Sequence, residues 1–175
     1  VDAMMADDSV PMGYYRPLRE IRDAVGEDAI IVSEGASTMD ISRTVLDNFQ
    51  PRHRLDAGTF GSMGLGHGFA IAAQVCHPDK KVLALQGDAA FGFAGMEVEV
   101  AVRHKLPITW VVFVNNGIGG QHVDLNAEQL PPGGFVPDAR YDRVIEAFGG
   151  KGYHVESPDA LATALKDALA SDQTS

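Results

Sequence analysis

Two polar groups stand where apolar runs end. Asp88 closes Val82-Leu83-Ala84-Leu85-Gln86-Gly87-Asp88, and Asn115-Asn116 closes Ile108-Thr109-Trp110-Val111-Val112-Phe113-Val114. A carboxylate, an amide oxygen and a loop carbonyl are hard oxygen donors. Together they suit Mg2+ that keeps contact with a substrate or cofactor phosphate. Each residue also has a plainer reading. Asp88 can cap the helix that follows it, Asn116 can be a turn residue, and Ser37, after Gly35-Ala36, can be an N-cap.

The elements around the pair decide whether it can meet. The two runs have the composition of buried parallel strands, and residues 94–105 between them are long enough for a helix. A right-handed crossover sets Asp88 beside Asn115 at the C-terminal edge of the sheet, the edge where open α/β sheets bind ligands. The rest of the chain continues the alternation. It reads as helix 18–25, strand 29–33 with a turn at 34–37, helix 40–49 stopped by Pro51, a short strand 54–56, and a glycine-rich bend 58–68 opening an apolar helix that ends at Cys76. After the second run come a long loop 116–137, rich in glycine and proline and expected to be functional or mobile, then helix 140–148, strand 153–155 and helix 158–170. Residues 1–10 read as a tail or linker, and 11–175 as one domain. This is α/β, a doubly wound, mostly parallel sheet flanked by helices.

Composition excludes several classes of function. The 175 residues carry a net charge of −10, which argues against binding a nucleic-acid backbone. No apolar run approaches the ~20 residues of a membrane span. A single cysteine, Cys76, cannot form an internal disulfide, which fits a reducing cytoplasm; its helical apolar surroundings read as a small buried core position. The six histidines, among them His67 and His122, show no zinc-like spacing, and Arg43, Arg52 and Arg54 read by default as solvated or structural. A nucleotide-dependent dehydrogenase would need a glycine fingerprint that Ser33-Glu34-Gly35-Ala36-Ser37 lacks.

Gly87-Asp88 followed 27 positions on by Asn115 resembles the diphosphate-binding signature of thiamine diphosphate enzymes. The words Gly87-Asp88-Ala89-Ala90-Phe91-Gly92-Phe93-Ala94-Gly95-Met96-Glu97, Arg54-Leu55-Asp56-Ala57-Gly58-Thr59-Phe60-Gly61 and Ser33-Glu34-Gly35-Ala36-Ser37-Thr38 resemble its 2-hydroxyacyl-CoA lyase and oxalyl-CoA decarboxylase branch, over roughly residues 11–169. The resemblance implies a diphosphate-binding module. In it Asp88, the Asn115 side chain and the Gly117 carbonyl hold Mg2+. The cofactor contacts fall at Ala36, Ser37, Gly61, Met63, Gly87, Asp88, Ala89, Ala90, Asn115, Gly117, Ile118 and Gly119. Met63 would be the apolar wedge that bends thiamine diphosphate, and the amides of Ala89 and Ala90 would donate to phosphate.

The resemblance also sets limits. The glutamate that protonates the pyrimidine ring belongs, in this family, to a separate N-terminal domain, and Glu34, Glu97 and Glu99 do not replace it; no catalytic residue is assigned. The chain alone is expected to hold half a site and to need a pyrimidine-binding domain or subunit, in a homodimer or homotetramer of a longer enzyme whose final strand and tail lie beyond Ser175. The implied reaction is thiamine diphosphate- and Mg2+-dependent cleavage of 2-hydroxyacyl-CoA to formyl-CoA and an aldehyde or ketone, or the reverse condensation. Oxalyl-CoA decarboxylation is the near alternative and a non-catalytic cofactor-binding subunit the distant one. Two departures stand out: Ala89 where the family has glycine, and Gly119 where it has a tyrosine facing the reacting carbonyl.

Overall fold

The computed structural model describes residues 1–120, 128–137 and 139–175. Its centre is a four-stranded, all-parallel sheet of β1 (Ile30–Glu34), β2 (Arg54–Asp56), β3 (Val82–Gly87) and β4 (Ile108–Phe113), in the order β2-β1-β3-β4. From β1 the chain passes outward to β2 and returns to β3 on the other side of β1, so the connections leave β1 and β3 toward opposite edges, which makes their shared C-terminal end the topological switch point of the sheet.

Strand side chains alternate between two cores, as a period of two dictates. Ile30, Val32, Val82, Ala84, Ile108 and Trp110 face one side, packed with Ala70, Ala73, Val98, Ala101 and Ile145. Ile31, Leu83 and Leu85 face the other, packed with Leu18, Ile21, Leu161 and Leu165. The first layer comes from α4 (Gly66–Cys76), α6 (Val98–Arg103) and α7 (Asp142–Ala147), the second from α2 (Tyr15–Ala24) and α8 (Pro158–Ala170). Ser157 caps α8 by accepting from the Ala160 N–H, with proline in the first turn.

Several elements depart from the sequence reading. Residues 1–10 are not simply a tail: α1 (Asp2–Met5) packs against α2, and Asp8 pairs with Arg16 at 2.6 Å. The helix after β1 is α3 (Ala36–Ser42), earlier than expected, because Gly35 at φ 91° turns the chain straight into it. The crossover between β3 and β4 begins at Asp88 as α5 (Asp88–Ala94), passes through a 3-10 turn at Gly95–Glu97 and ends as α6. Two glycines, Gly92 and Gly95, weaken a continuous helix there.

No strand forms at 153–155. The position outside β4 is instead approached by the C-terminal residues: Ser175 N–H donates to the Ile108 carbonyl at 3.0 Å and the Trp110 N–H to Ser175 O at 2.7 Å. Cys76 is exposed, not buried, since it ends α4 on the face turned from the core. In the long loop, Gly117 and Gly134 form an antiparallel bridge; His122 and the rest of 121–127 lie outside the described residues.

Candidate functional site

The pair does meet. β3 and β4 run in register from Val82–Ile108 to Gly87–Phe113, so Asp88 and Asn115 leave the sheet together. Asp88 is 2 % exposed. Its Oδ2 accepts from the Asn115 N–H at 3.1 Å and the Asn116 N–H at 2.7 Å, and its Oδ1 from the Ala89 N–H at 2.7 Å. Burial is the largest influence on the carboxyl and raises its pKa against those amides.

The Asn115 amide points one atom inward, 2.8 Å from the Gly117 carbonyl oxygen and 3.0 Å from Asp88 Oδ1. With its oxygen inward, three oxygens converge. Neighbouring ligand oxygens around Mg2+ at 2.0–2.1 Å stand about 3 Å apart. Both spacings from the Asn115 atom therefore match those between neighbouring ligands of an octahedral Mg2+ site, and without a cation its oxygen would be repelled by the other two. No cluster of three His, Cys, Asp or Glu among the described residues could hold a metal; this trio has one carboxylate only, as a site that shares its ion with phosphate requires.

The other expected contacts gather around the same edge. Ala36 and Ser37 form the first turn of α3 at the end of β1. Gly35 comes so near β3 that a methyl group on it would lie 3.4 Å from Ala90 Cβ and 3.5 Å from Gly87 N. The Ile118–Gly120 turn, with Gly119 at φ 77°, packs against α3. Gly61 and half-buried Met63 lie in the loop between β2 and α4. One detail differs from expectation: the Ala89 amide already serves Asp88. The Ser37 hydroxyl makes no capping hydrogen bond, so its plainer reading as an N-cap does not hold.

A polar cluster that sequence reasoning missed anchors the Met63 loop. Glu34, 0 % exposed, accepts from the Gly64, Leu65 (3.2 Å) and Gly66 (3.0 Å) N–H groups and from Gln86 Nε2. Gln86 Nε2 also lies 3.2 Å from His67 Nδ1. His67 stacks on Trp110 with ring centroids 5.9 Å apart, and burial lowers its pKa to about 4, so it is neutral packing and no acid-base group. The signal was present, since Glu34 and Gln86 are polar residues inside otherwise apolar strands. Arg43 is held by Asp56 at 2.7 Å and Arg54 by the Leu46 carbonyl. Glu97 is exposed, and Glu99 pairs with Arg103 at 3.0 Å.

The profile described as "Thiamine pyrophosphate enzyme, C-terminal TPP binding domain" matches residues 34–175. The chain belongs to the thiamine pyrophosphate enzyme family. Thiamine diphosphate is that family's cofactor, and the matched region is its C-terminal cofactor-binding domain. Among curated relatives, the chain is 49 % identical to 2-hydroxyacyl-CoA lyase of Oryza sativa subsp. japonica over 97 % of its length. It is 48 % identical to 2-hydroxyacyl-CoA lyase 1 of Homo sapiens over 93 %, and 43 % identical to oxalyl-CoA decarboxylase of Escherichia coli (strain K12) over 95 %. It spans 31 %, 30 % and 30 % of those proteins respectively. A solved thiamine diphosphate-dependent 4-hydroxybenzoylformate decarboxylase from Rhodococcus jostii RHA1 superposes with a TM-score of 0.83 at 26 % identity, over 96 % of this chain and 32 % of that one.

Proposed function

We propose that the chain is the diphosphate-binding part of a thiamine diphosphate- and Mg2+-dependent carbon–carbon lyase that cleaves 2-hydroxyacyl-CoA to formyl-CoA and an aldehyde or ketone, or condenses them. The convergence of Asp88, Asn115 and Gly117 oxygens carries the cofactor half of this reading. Identity to the 2-hydroxyacyl-CoA lyases supports the substrate half.

Asp88, Asn115 and the Gly117 carbonyl would hold the cation. Ala36, Ser37, Gly87, Ala89 and Ala90 line the diphosphate end, and Gly61, Met63, Ile118 and Gly119 the ring end. Bound thiamine diphosphate supplies a nucleophilic carbon and an electron sink. What the chain contributes is the anchored phosphate, a rigid support beneath the rings, and apolar walls that exclude water. Phe60, Phe93 and Met96 are exposed at 96 %, 63 % and 68 %, Phe93 lying against the Met63 loop at Gly64, and they suit a covering pyrimidine-binding domain or second subunit. The family resemblance extends this reading to a homodimer or homotetramer of the full enzyme. No helix among the described residues is long and apolar enough to cross a membrane, and the exposed thiol of Cys76 suits the reducing cytoplasm.

Oxalyl-CoA decarboxylation remains the second reading, supported by the Escherichia coli relative. Gly119 favours the lyase. Among the described residues nothing lies within 4 Å of where a side chain on it would begin, which supports room for a bulky or branched acyl group.

Titration of the chain with thiamine diphosphate in the presence and absence of Mg2+ tests the cofactor half. Binding should require the ion, and Asp88→Asn should weaken it at least a hundredfold; metal-independent binding would refute the site. Joined to a pyrimidine-binding domain, the chain should release formyl-CoA from 2-hydroxyacyl-CoA faster than from oxalyl-CoA. The reverse order would favour the decarboxylase. Gly119→Tyr should narrow acceptance of branched thioesters relative to linear ones, and an unchanged ratio would count against the role of Gly119.

A further inference from the structure

The atom of the Asn115 amide that faces away from Asp88 lies 3.1 Å from the hydroxyl of Tyr14. Tyr14 stands just before α2, 101 positions away in sequence, and its ring stacks on Phe113 at 5.3 Å with only 11° between planes. Burial raises the pKa of the phenol, and the side chain of buried Thr38 opposes that shift. Resting on the metal reading above, we infer that Tyr14 is a positioning residue for the cation: it holds the Asn115 amide in either of two orientations and stabilises the metal-binding one more strongly.

The amide and the phenol can match donor to acceptor in both states. With the amide nitrogen inward, its two hydrogens go to Gly117 O and Asp88 Oδ1, and the Tyr14 hydroxyl donates to the outward amide oxygen. With the oxygen inward on a cation, the amide nitrogen donates to Tyr14, and the phenol turns its hydrogen away from the amide. A hydroxyl is both donor and acceptor, so it follows the amide by rotating one hydrogen. The backbone and the stacked ring stay still. A cation on the amide oxygen polarises its N–H groups, which strengthens the bond to Tyr14 in the loaded state alone. Outer partners of ligating groups are commonly worth 10–100-fold in metal affinity.

The test is Tyr14→Phe in the full 175-residue chain, which removes one oxygen and keeps the ring stack. Mn2+ affinity in saturating thiamine diphosphate is read by electron paramagnetic resonance, with the unfolding midpoint in EDTA as a second readout. About tenfold weaker Mn2+ binding with a nearly unchanged midpoint is expected. A general structural role would move the midpoint as well and overturn the inference. So would equal Mn2+ affinity in Tyr14→Phe and wild type while Asp88→Asn abolishes binding, and in that case the metal site itself would stand. If wild type fails to bind Mn2+, or Asp88→Asn binds as wild type does, the site reading falls and the inference with it.

Discussion

Two buried polar clusters flank the C-terminal end of β3, one joined to it through Gln86 and one just beyond it at Asp88, and they are built on opposite plans. Around Glu34, each carboxylate oxygen is met by donors: three backbone N–H groups and the Gln86 amide. Around Asp88, backbone amides are joined by an asparagine amide whose inward atom lies between a carboxylate oxygen and the Gly117 carbonyl oxygen. A carboxylate surrounded by donors is a fastener. One that shares its space with other acceptors is a ligand in waiting, and the difference cannot be seen from residue type.

Removing the fastener should have the largest effect on folding. Glu34→Ala strands several buried donors, and a loss of about 4 kcal/mol is expected in urea unfolding. Asp88→Asn in the metal-free chain should cost no more than about 1 kcal/mol, because burial already opposes the charge there. Equal costs would erase the contrast.

Acid should separate the clusters next. His67 titrates near 4 when folded against an ordinary value of 6.5, so the unfolded chain binds more protons between those values. That share of stability is complete above pH 6.5 and falls by about 3 kcal/mol toward pH 4. Asp88 is raised, so its contribution is present at low pH and is lost as pH rises through its folded pKa. The two oppose each other, and Asp88→Asn should steepen the acid loss measured by urea midpoints from pH 7 to 4. The smallest effect belongs to Gly119→Tyr. Its Cβ meets none of the described residues, yet φ 77° costs a side chain about 1 kcal/mol.

The sequence made the sheet legible where apolar runs alternate with helical spacing: β1, β3, β4 and α8 fall within a residue or two of expectation. It also made the meeting of Asp88 and Asn115 legible, because parallel register carries both to one edge. Tyr153-His154-Val155 misled because three β-favouring residues cannot tell whether a neighbour has room to pair. Glu34 was read as a turn residue because its partners sit some thirty residues later, at Gly64 to Gly66. Tyr14 was invisible for the same reason, since no local pattern ties it to Asn115.

Trp110 is the only tryptophan in the chain, and its indole lies against the His67 ring. An imidazolium is a quencher of indole emission where the neutral ring is not. The molecule thus carries its own optical gauge: one fluorophore, seated on the fastener and away from the cation's grip, whose brightness registers whether that buried imidazole has taken up a proton.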